Sequence, residues 1–240
     1  MSAHVCYDHD YILIKITGGI NLKYRCLILD HDDTVVKSTP DIHYPSFVEA
    51  LKILRPNMNP LSLEKFVSYC FNPGFSELCK DILKFSEEEQ ECQYKIWKSY
   101  TKAKVPAFYS GFPELIKEYK KLGGIICVVS HSESEQIMRD YMLNCDLTPD
   151  MVFGWELDEE KRKPNSYPII EIMKKFDLNN YEILVVDDLK PGLDMARSCN
   201  ITFAGAGWSH IIPEIKNYME INSDYYFSTV SSFKEFILSA

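Results

Sequence analysis

Three short apolar runs in this chain stop abruptly at polar groups. YRCLIL (24–29) ends at Asp30, IICVV (125–129) ends at Ser130, and EILVV (182–186) ends at Asp187 and Asp188. Runs of this length that stay apolar at successive positions, rather than alternating, read as strands buried on both faces. MVFGWEL (151–157) and ITFAGAGW (201–208) read as further strands, and DYYFSTVSSFKEFILSA closes the chain as a short strand and a helix. Helical periods lie between them: 111–124, closed by glycines, then 132–143, 166–176 and 190–199. Strand alternating with helix predicts a parallel α/β sheet.

Residues 40–109 break the alternation. YPSFVEALKIL, PLSLEKFVSYCF, FSELCKDILKF and SEEEQECQYKIWKSYTKA are all helical in period, and the last opens on an N-cap serine followed by three glutamates. This block is a helical insertion between the first and second core strands. At 240 residues with 46% hydrophobic side chains, the chain can fill one sizeable core and such an insertion. A net charge of −9 with no basic block argues against nucleic acid or an anionic membrane surface as partner. Eight cysteines form no CxxC pair and several lie inside apolar runs, which suits reduced thiols in a cytoplasmic protein. No apolar stretch reaches the roughly 18 residues of a membrane span.

In open α/β sheets, sites form at the carboxyl ends of the strands. On that rim fall Asp30, Asp32 and Thr34 after the first strand, Ser130 and His131 after the second, Lys163 after the third, and Asp187 and Asp188 after the fourth. Carboxylates a few ångströms apart repel by about 4 kcal/mol per pair at an effective dielectric near 20, so either some are protonated or a cation sits among them. Oxygen-only ligands favour a hard ion, Mg²⁺ first, which commonly takes one or two carboxylates together with a substrate phosphate.

Asp30-His31-Asp32-Asp33-Thr34 resembles the DxDxT signature of the haloacid dehalogenase-like (HAD) hydrolases. VVS ending at Ser130 resembles the second motif of that family, Lys163-Pro164 its third and VVDDLKPG its fourth, in the same order. The resemblance implies a Rossmann-like core of residues 22–39 and 110–240 and a small helical-bundle cap of residues 40–109, as in the phosphoglycolate phosphatase and β-phosphoglucomutase branch. It implies a Mg²⁺-dependent phosphatase acting on a small phosphorylated metabolite. Asp30 is then the nucleophile that forms an aspartyl phosphate, and Asp32 is the general acid and base, with its backbone carbonyl on the metal. Thr34, Ser130 and Lys163 hold phosphoryl oxygens. Asp188 binds Mg²⁺ directly, and Asp187 binds it directly or through water. A sugar phosphomutase shares these motifs; a phosphonate hydrolase, which needs a Schiff-base lysine in the cap, and a non-catalytic phosphometabolite binder are further readings. Monomer and dimer both remain open.

Some positions depart from the family pattern. Asp33 stands where Gly is commonest and is read as shaping the turn. His31 fills the free position of DxD and is expected to point away from the phosphoryl group. His131 follows Ser130 where relatives often carry Asn, and either touches substrate or packs on its loop. Asp194 is expected to be a surface or capping group, with Lys161 and Arg162 in a solvated charge run. Asn72, Phe75 and Ser76, in the Pro-Gly-punctuated stretch 70–79, are candidates for substrate contact, while Lys52 and Lys65 read as exposed helix lysines. Residues 1–21 form an extension in which YILIKIT and GG suggest a hairpin strand; a central parallel strand with both edges occupied leaves no room for it.

Overall fold

The computed structural model describes residues 22–239. Six parallel strands form one sheet: β1 (Cys26–Leu29), β2 (Ile125–Val129), β3 (Met151–Phe153), β4 (Ile183–Asp187), β5 (Thr202–Ala206) and β6 (Tyr225–Phe227). Their order is β3-β2-β1-β4-β5-β6. The chain winds outward from β1 in one direction, then returns to the other side of β1 and winds outward again. The reversal lies between β1 and β4, and a crevice opens at the carboxyl ends of strands at such a point. Leu29 is registered with Val128 and with Val186, so the residues after the three central strands end at the same height.

Alternate side chains of each strand enter different cores. Cys26, Ile28, Cys127, Val129, Ile183 and Val185 face one side, where α7 (Tyr167–Phe176), α8 (Lys190–Ser198) and α9 (Pro213–Asn222) contribute Ile169, Ile172, Leu193, Met195, Ile215 and Met219. Leu27, Leu29, Ile126, Val128, Leu184 and Val186 face the other, against Phe112, Leu115, Ile137, Tyr141, Phe233 and Ile237 of α5 (Phe112–Lys121), α6 (Ser134–Cys145) and α10 (Val230–Leu238). Helices on both faces explain why the strands read as unbroken apolar runs. The expected α/β, Rossmann-like parallel sheet is the fold observed. α9 is not foreshadowed by the sequence pattern: it opens at Pro213 with no side-chain cap and buries only Ile215 and Met219.

Between β1 and α5 the chain is helical, in α1 (Tyr44–Leu54), α2 (Leu63–Phe71), α3 (Phe75–Glu77) and α4 (Glu87–Ala103). FSELCKDILKF is not one regular helix: α3 is a single turn that passes into a wider turn over Leu78–Ile82. The block packs on its own aromatics, Phe47 against Phe66 at 4.8 Å, with Phe75 edge-on to both. Ser86 and Glu89 close a reciprocal capping box at the start of α4, worth about 1 kcal/mol. The far end of α4 is fastened to α6: Gln136 Nε2 donates to Thr101 Oγ1 at 2.6 Å, and Arg139 Nη1 to the Thr101 carbonyl at 2.9 Å. Both edges of β1 are occupied, by β2 and β4. The strand expected in residues 1–21 lies outside the described residues.

Candidate active site

The turn after β1 is built by Asp33. Its φ is 57°, a left-handed conformation that Asp adopts more readily than most residues, and its Oδ1 accepts the backbone N–H groups of Ser38 and Thr39, each at 3.2 Å. The turn points Asp30 and Asp32 toward the crevice and His31 away from it. His31 is 1% exposed, its Nε2 lies 3.2 Å from Asp140 Oδ2 on α6, and its ring stacks on Tyr141.

Lys163, in the loop between β3 and α7, reaches under the sheet edge and bridges two strands. Its Nζ donates to Asp30 Oδ1 at 2.5 Å and to Asp187 Oδ2 at 2.7 Å, and all three side chains are buried. Asp187 Oδ1 accepts the Leu189 N–H at 2.8 Å. Gly192 backs the same carboxylate: a Cβ there would sit 2.2 Å from Asp187 Oδ2, so the glycine of KPG is required by close approach. Burial raises the Asp30 pKa to about 7 despite Lys163, with Asp187 and Asp32 adding to the rise. It raises Asp187 to about 6 and also lifts Asp188. Lys163 is held charged, because the Asp187 and Asp30 carboxylates outweigh its burial.

Asp188 Oδ1 accepts from Thr34 Oγ1 at 3.2 Å, and Oδ2 from His210 at 2.5 Å. Thr34, expected from the sequence to hold a phosphoryl oxygen, is 0% exposed and is not among the residues that line the crevice; its hydroxyl is bonded to Asp188 instead. Carboxylate oxygens of Asp30, Asp187 and Asp188 lie within 4.8 Å of one another. Two of these buried acids share Lys163, the third is held by Thr34 and His210, and their donor atoms are all hard oxygens, so the three carboxylates fit a divalent cation of the Mg²⁺ type.

Asp32 is in a different environment. Oδ1 accepts from Ser38 Oγ at 2.8 Å and His43 Nε2 at 2.7 Å; Oδ2 accepts from Ser132 Oγ at 2.6 Å and Ser130 Oγ at 3.3 Å. Burial opposes its charge, but His43, His31 and these donors outweigh burial and hold the carboxyl far below the usual range. His43 itself receives the Trp97 indole N–H on Nδ1 at 2.9 Å. His43 lies on the last residue of the wider turn Thr39–His43 and Trp97 on α4, so the helical block between β1 and β2 reaches into the acid cluster.

A cavity of about 840 Å³ lies over this rim. Asp30, Asp32, Ser130, His131, Lys163, Asp187 and Asp188 line it from the sheet, and Asn72, Phe75 and Ser76 from the helical block. His131 donates Nε2–H to the Lys163 carbonyl at 2.9 Å and meets Trp155 edge-on. Two expectations change. Asp194 is half-buried on the cavity wall rather than on the outer surface, and Arg162 lines the cavity with its guanidinium 4.0 Å over the Trp155 ring, while Lys161 pairs with Asp158 in solvent. Lys52 and Lys65 are exposed and do not line it. His210 could have been found by extending the strand-end rule to β5, whereas His43 and Trp97 carry no motif that marks them.

The sequence matches the haloacid dehalogenase-like hydrolase family over residues 27–206. The chain belongs to that family. No curated protein matches it. Among solved structures it is similar to a protein described as a predicted phosphoglycolate phosphatase of Haemophilus somnus 129PT, with 21% identity over 89% of this chain and 98% of that one, TM-score 0.70. A haloacid dehalogenase-like family hydrolase of Streptococcus pneumoniae gives 15% identity over 89% and 98%, TM-score 0.69. CbbY of Rhodobacter sphaeroides, solved with phosphate, gives 14% over 86% and 94%, TM-score 0.65. At these identities the likeness establishes the fold.

Proposed function

We propose that this chain is a Mg²⁺-dependent phosphatase that hydrolyses a small-molecule phosphate monoester through an aspartyl phosphate on Asp30. The observation that carries the reading is the Lys163 bridge between Asp30 and Asp187, set at the floor of a cavity that Asp32 and Ser130 also line. Lys163 neutralises the nucleophile and would neutralise the phosphoryl group arriving beside it. Asp30, Asp187 and Asp188, with the Asp32 carbonyl, would hold Mg²⁺, which supplies charge neutralisation at the phosphoryl oxygens.

Asp30 attacks phosphorus in line, and the bond from phosphorus to the ester oxygen breaks. Asp32 delivers a proton to the departing alkoxide; a phosphate dianion arriving beside it favours the protonated form. Asp32 then takes a proton from the water that attacks the aspartyl phosphate, which frees Asp30 and inorganic phosphate. Ser130, whose hydroxyl lies 3.3 Å from Asp32 Oδ2, would donate to a phosphoryl oxygen, and His131, bonded to the Lys163 carbonyl, would steady the loop that carries Lys163.

We assign residues 22–39 and 110–240 to the catalytic core and 40–109 to a cap over the cavity. The absence of a basic surface block argues for a free metabolite rather than nucleic acid, and buried free cysteines at 26, 79, 127 and 145 suit the cytoplasm. Among the described residues no helix is long and apolar enough to cross a membrane. Release of inorganic phosphate from a panel of monoesters, lost with EDTA and restored by Mg²⁺, tests the reading; isomerisation of a sugar phosphate without phosphate release would point to a mutase.

A further inference from the structure

Asp188 ends β4, but the two groups that hold its carboxylate come from other strands. Lys163 reaches Asp30 and Asp187, whereas Asp188 Oδ1 accepts from Thr34 in the turn after β1, and Oδ2 accepts from His210 in the loop after β5, at 2.5 Å. The His210 and Asp188 side chains are only 12% and 4% exposed. β5 is paired to β4 with Gly205 opposite Asp187, so the loop that follows β5 starts beside Asp188.

That loop is tied down at each residue before His210. The Gly207 N–H donates to the Phe227 carbonyl at 2.9 Å, and a Cβ on Gly207 would lie 2.2 Å from the Tyr226 ring, so glycine is needed for the chain to pass. The Trp208 ring packs against Phe112 and Phe233, each at 5.8 Å between centroids, and its indole N–H donates to the Thr34 carbonyl at 3.0 Å. Ser209 Oγ donates to the Ala206 carbonyl at 3.3 Å. The result is a closed circuit: Trp208 holds the Thr34 carbonyl, the Thr34 hydroxyl holds one oxygen of Asp188, and His210, two residues on from Trp208, holds the other.

A carboxylate oxygen and an imidazole nitrogen 2.5 Å apart need a hydrogen between them, so Nε2 is the protonated nitrogen and acts as a donor. His210 Nε2 also lies within 4.8 Å of carboxylate oxygens of Asp33 and Asp188, but a protonated nitrogen has no lone pair to give a metal. An ionised carboxylate has about four lone-pair sites, and two donors leave two of them for a cation. Fixing those sites in advance spares the ion the cost of ordering its ligand.

We propose that His210 is a positioning residue for the metal: its Nε2–H, carried by the braced loop after β5, fixes the Asp188 carboxylate in the direction from which it ligates Mg²⁺, and so sets the affinity of the site. This rests on the Mg²⁺-dependent phosphatase reading and deepens it.

The test is calorimetric titration of Mg²⁺ into the full chain as wild type, His210→Ala and His210→Gln at one pH, with phosphate release followed against Mg²⁺ concentration in parallel. One ion is expected in each. His210→Ala should bind it at least about tenfold more weakly, within the roughly 10–100-fold that loss of a group supporting a metal ligand costs, and should need correspondingly more Mg²⁺ for phosphate release with the KM for the ester little changed. His210→Gln keeps an N–H donor and should recover part of the affinity. Should His210→Ala not fold, Trp208→Phe, which loosens the far side of the circuit without touching Asp188, should weaken Mg²⁺ in the same direction by a smaller factor. Equal Mg²⁺ affinity in wild type and variants would show that the loop only packs. Tighter binding by His210→Ala would show that the N–H stands in the place of the cation, and two ions in the wild type against one in His210→Ala would make His210 a ligand itself. Each of these three results overturns the inference and leaves the phosphatase reading standing. No Mg²⁺ binding by the wild type defeats the Mg²⁺-dependent reading and this inference with it.

Discussion

Trp97 donates its indole N–H to Nδ1 of His43 at 2.9 Å, and His43 in turn places Nε2 at 2.7 Å from Asp32 Oδ1. A residue of the helical block thus sets the orientation of the imidazole that holds the proposed general acid and base. Two pulls act on His43. Burial disfavours its charge, but Asp32, with Asp33 and Asp30, outweighs burial and raises its pKa; the Trp97 N–H, by contrast, needs a bare Nδ1 and so favours the neutral ring.

Trp97→Phe removes that N–H and keeps an aromatic ring. The imidazolium form of His43 is then favoured more strongly, and the group that governs kcat in its pH profile shifts to higher pH than in the wild type. The loss in kcat is expected at about tenfold, since Asp32 keeps its other donors, against the roughly 10²-fold that a misplaced catalytic group can cost. A pH–rate profile identical to that of the wild type would show that Trp97 only packs.

Metal binding and protonation should compete in a defined window. With Asp30 near 7 and Asp187 near 6 in the metal-free protein, against about 4 in an unfolded chain, the native state binds more protons between pH 4 and 7. Stability of the metal-free protein therefore falls as pH rises through that window. Mg²⁺ should bind more tightly at pH 7.5 than at pH 5.5 and release protons on binding, and it should raise Tm more at the higher pH. Calorimetry in buffers of different ionisation enthalpy measures the protons released; affinity independent of pH would contradict the arrangement.

Thr34 separates two roles by its variant. Its hydroxyl lies on Asp188 and is fully buried, so Thr34→Val should weaken Mg²⁺ binding by about 10-fold, the lower end of what loss of a group supporting a metal ligand costs, and change the KM for the phosphate ester little. A large rise in KM with Mg²⁺ affinity intact would place the hydroxyl on the phosphoryl group instead.

The sheet and its rim were legible in the sequence because a strand covered on both faces leaves no alternation, only an apolar run that ends where the polar site begins. The same rule brings Asp30, Asp32, Ser130, Lys163, Asp187 and Asp188 to one cavity. What it does not reach is set by turns and by distant packing. Whether Thr34 faces the cavity or Asp188 depends on the left-handed Asp33. His43 meets Asp32 only because a wider turn over Thr39–His43 precedes α1, and Trp97 meets His43 through the docking of α4, a contact separated by 54 residues. Arg162 reads as one more charge in a charged run until Trp155 is seen beneath it.

The central claim is that Asp30 carries the phosphoryl group. Borohydride reduces an aspartyl phosphate to homoserine, so turnover can be interrupted with borohydride in the presence of Mg²⁺ and an accepted monoester, and the chain digested and read by peptide mass spectrometry. The account predicts homoserine at position 30 only when substrate is present, and Asp30→Asn should release phosphate at least 10³-fold more slowly. Steady phosphate release with an unmodified aspartate at position 30, or undiminished hydrolysis by Asp30→Asn, would contradict it.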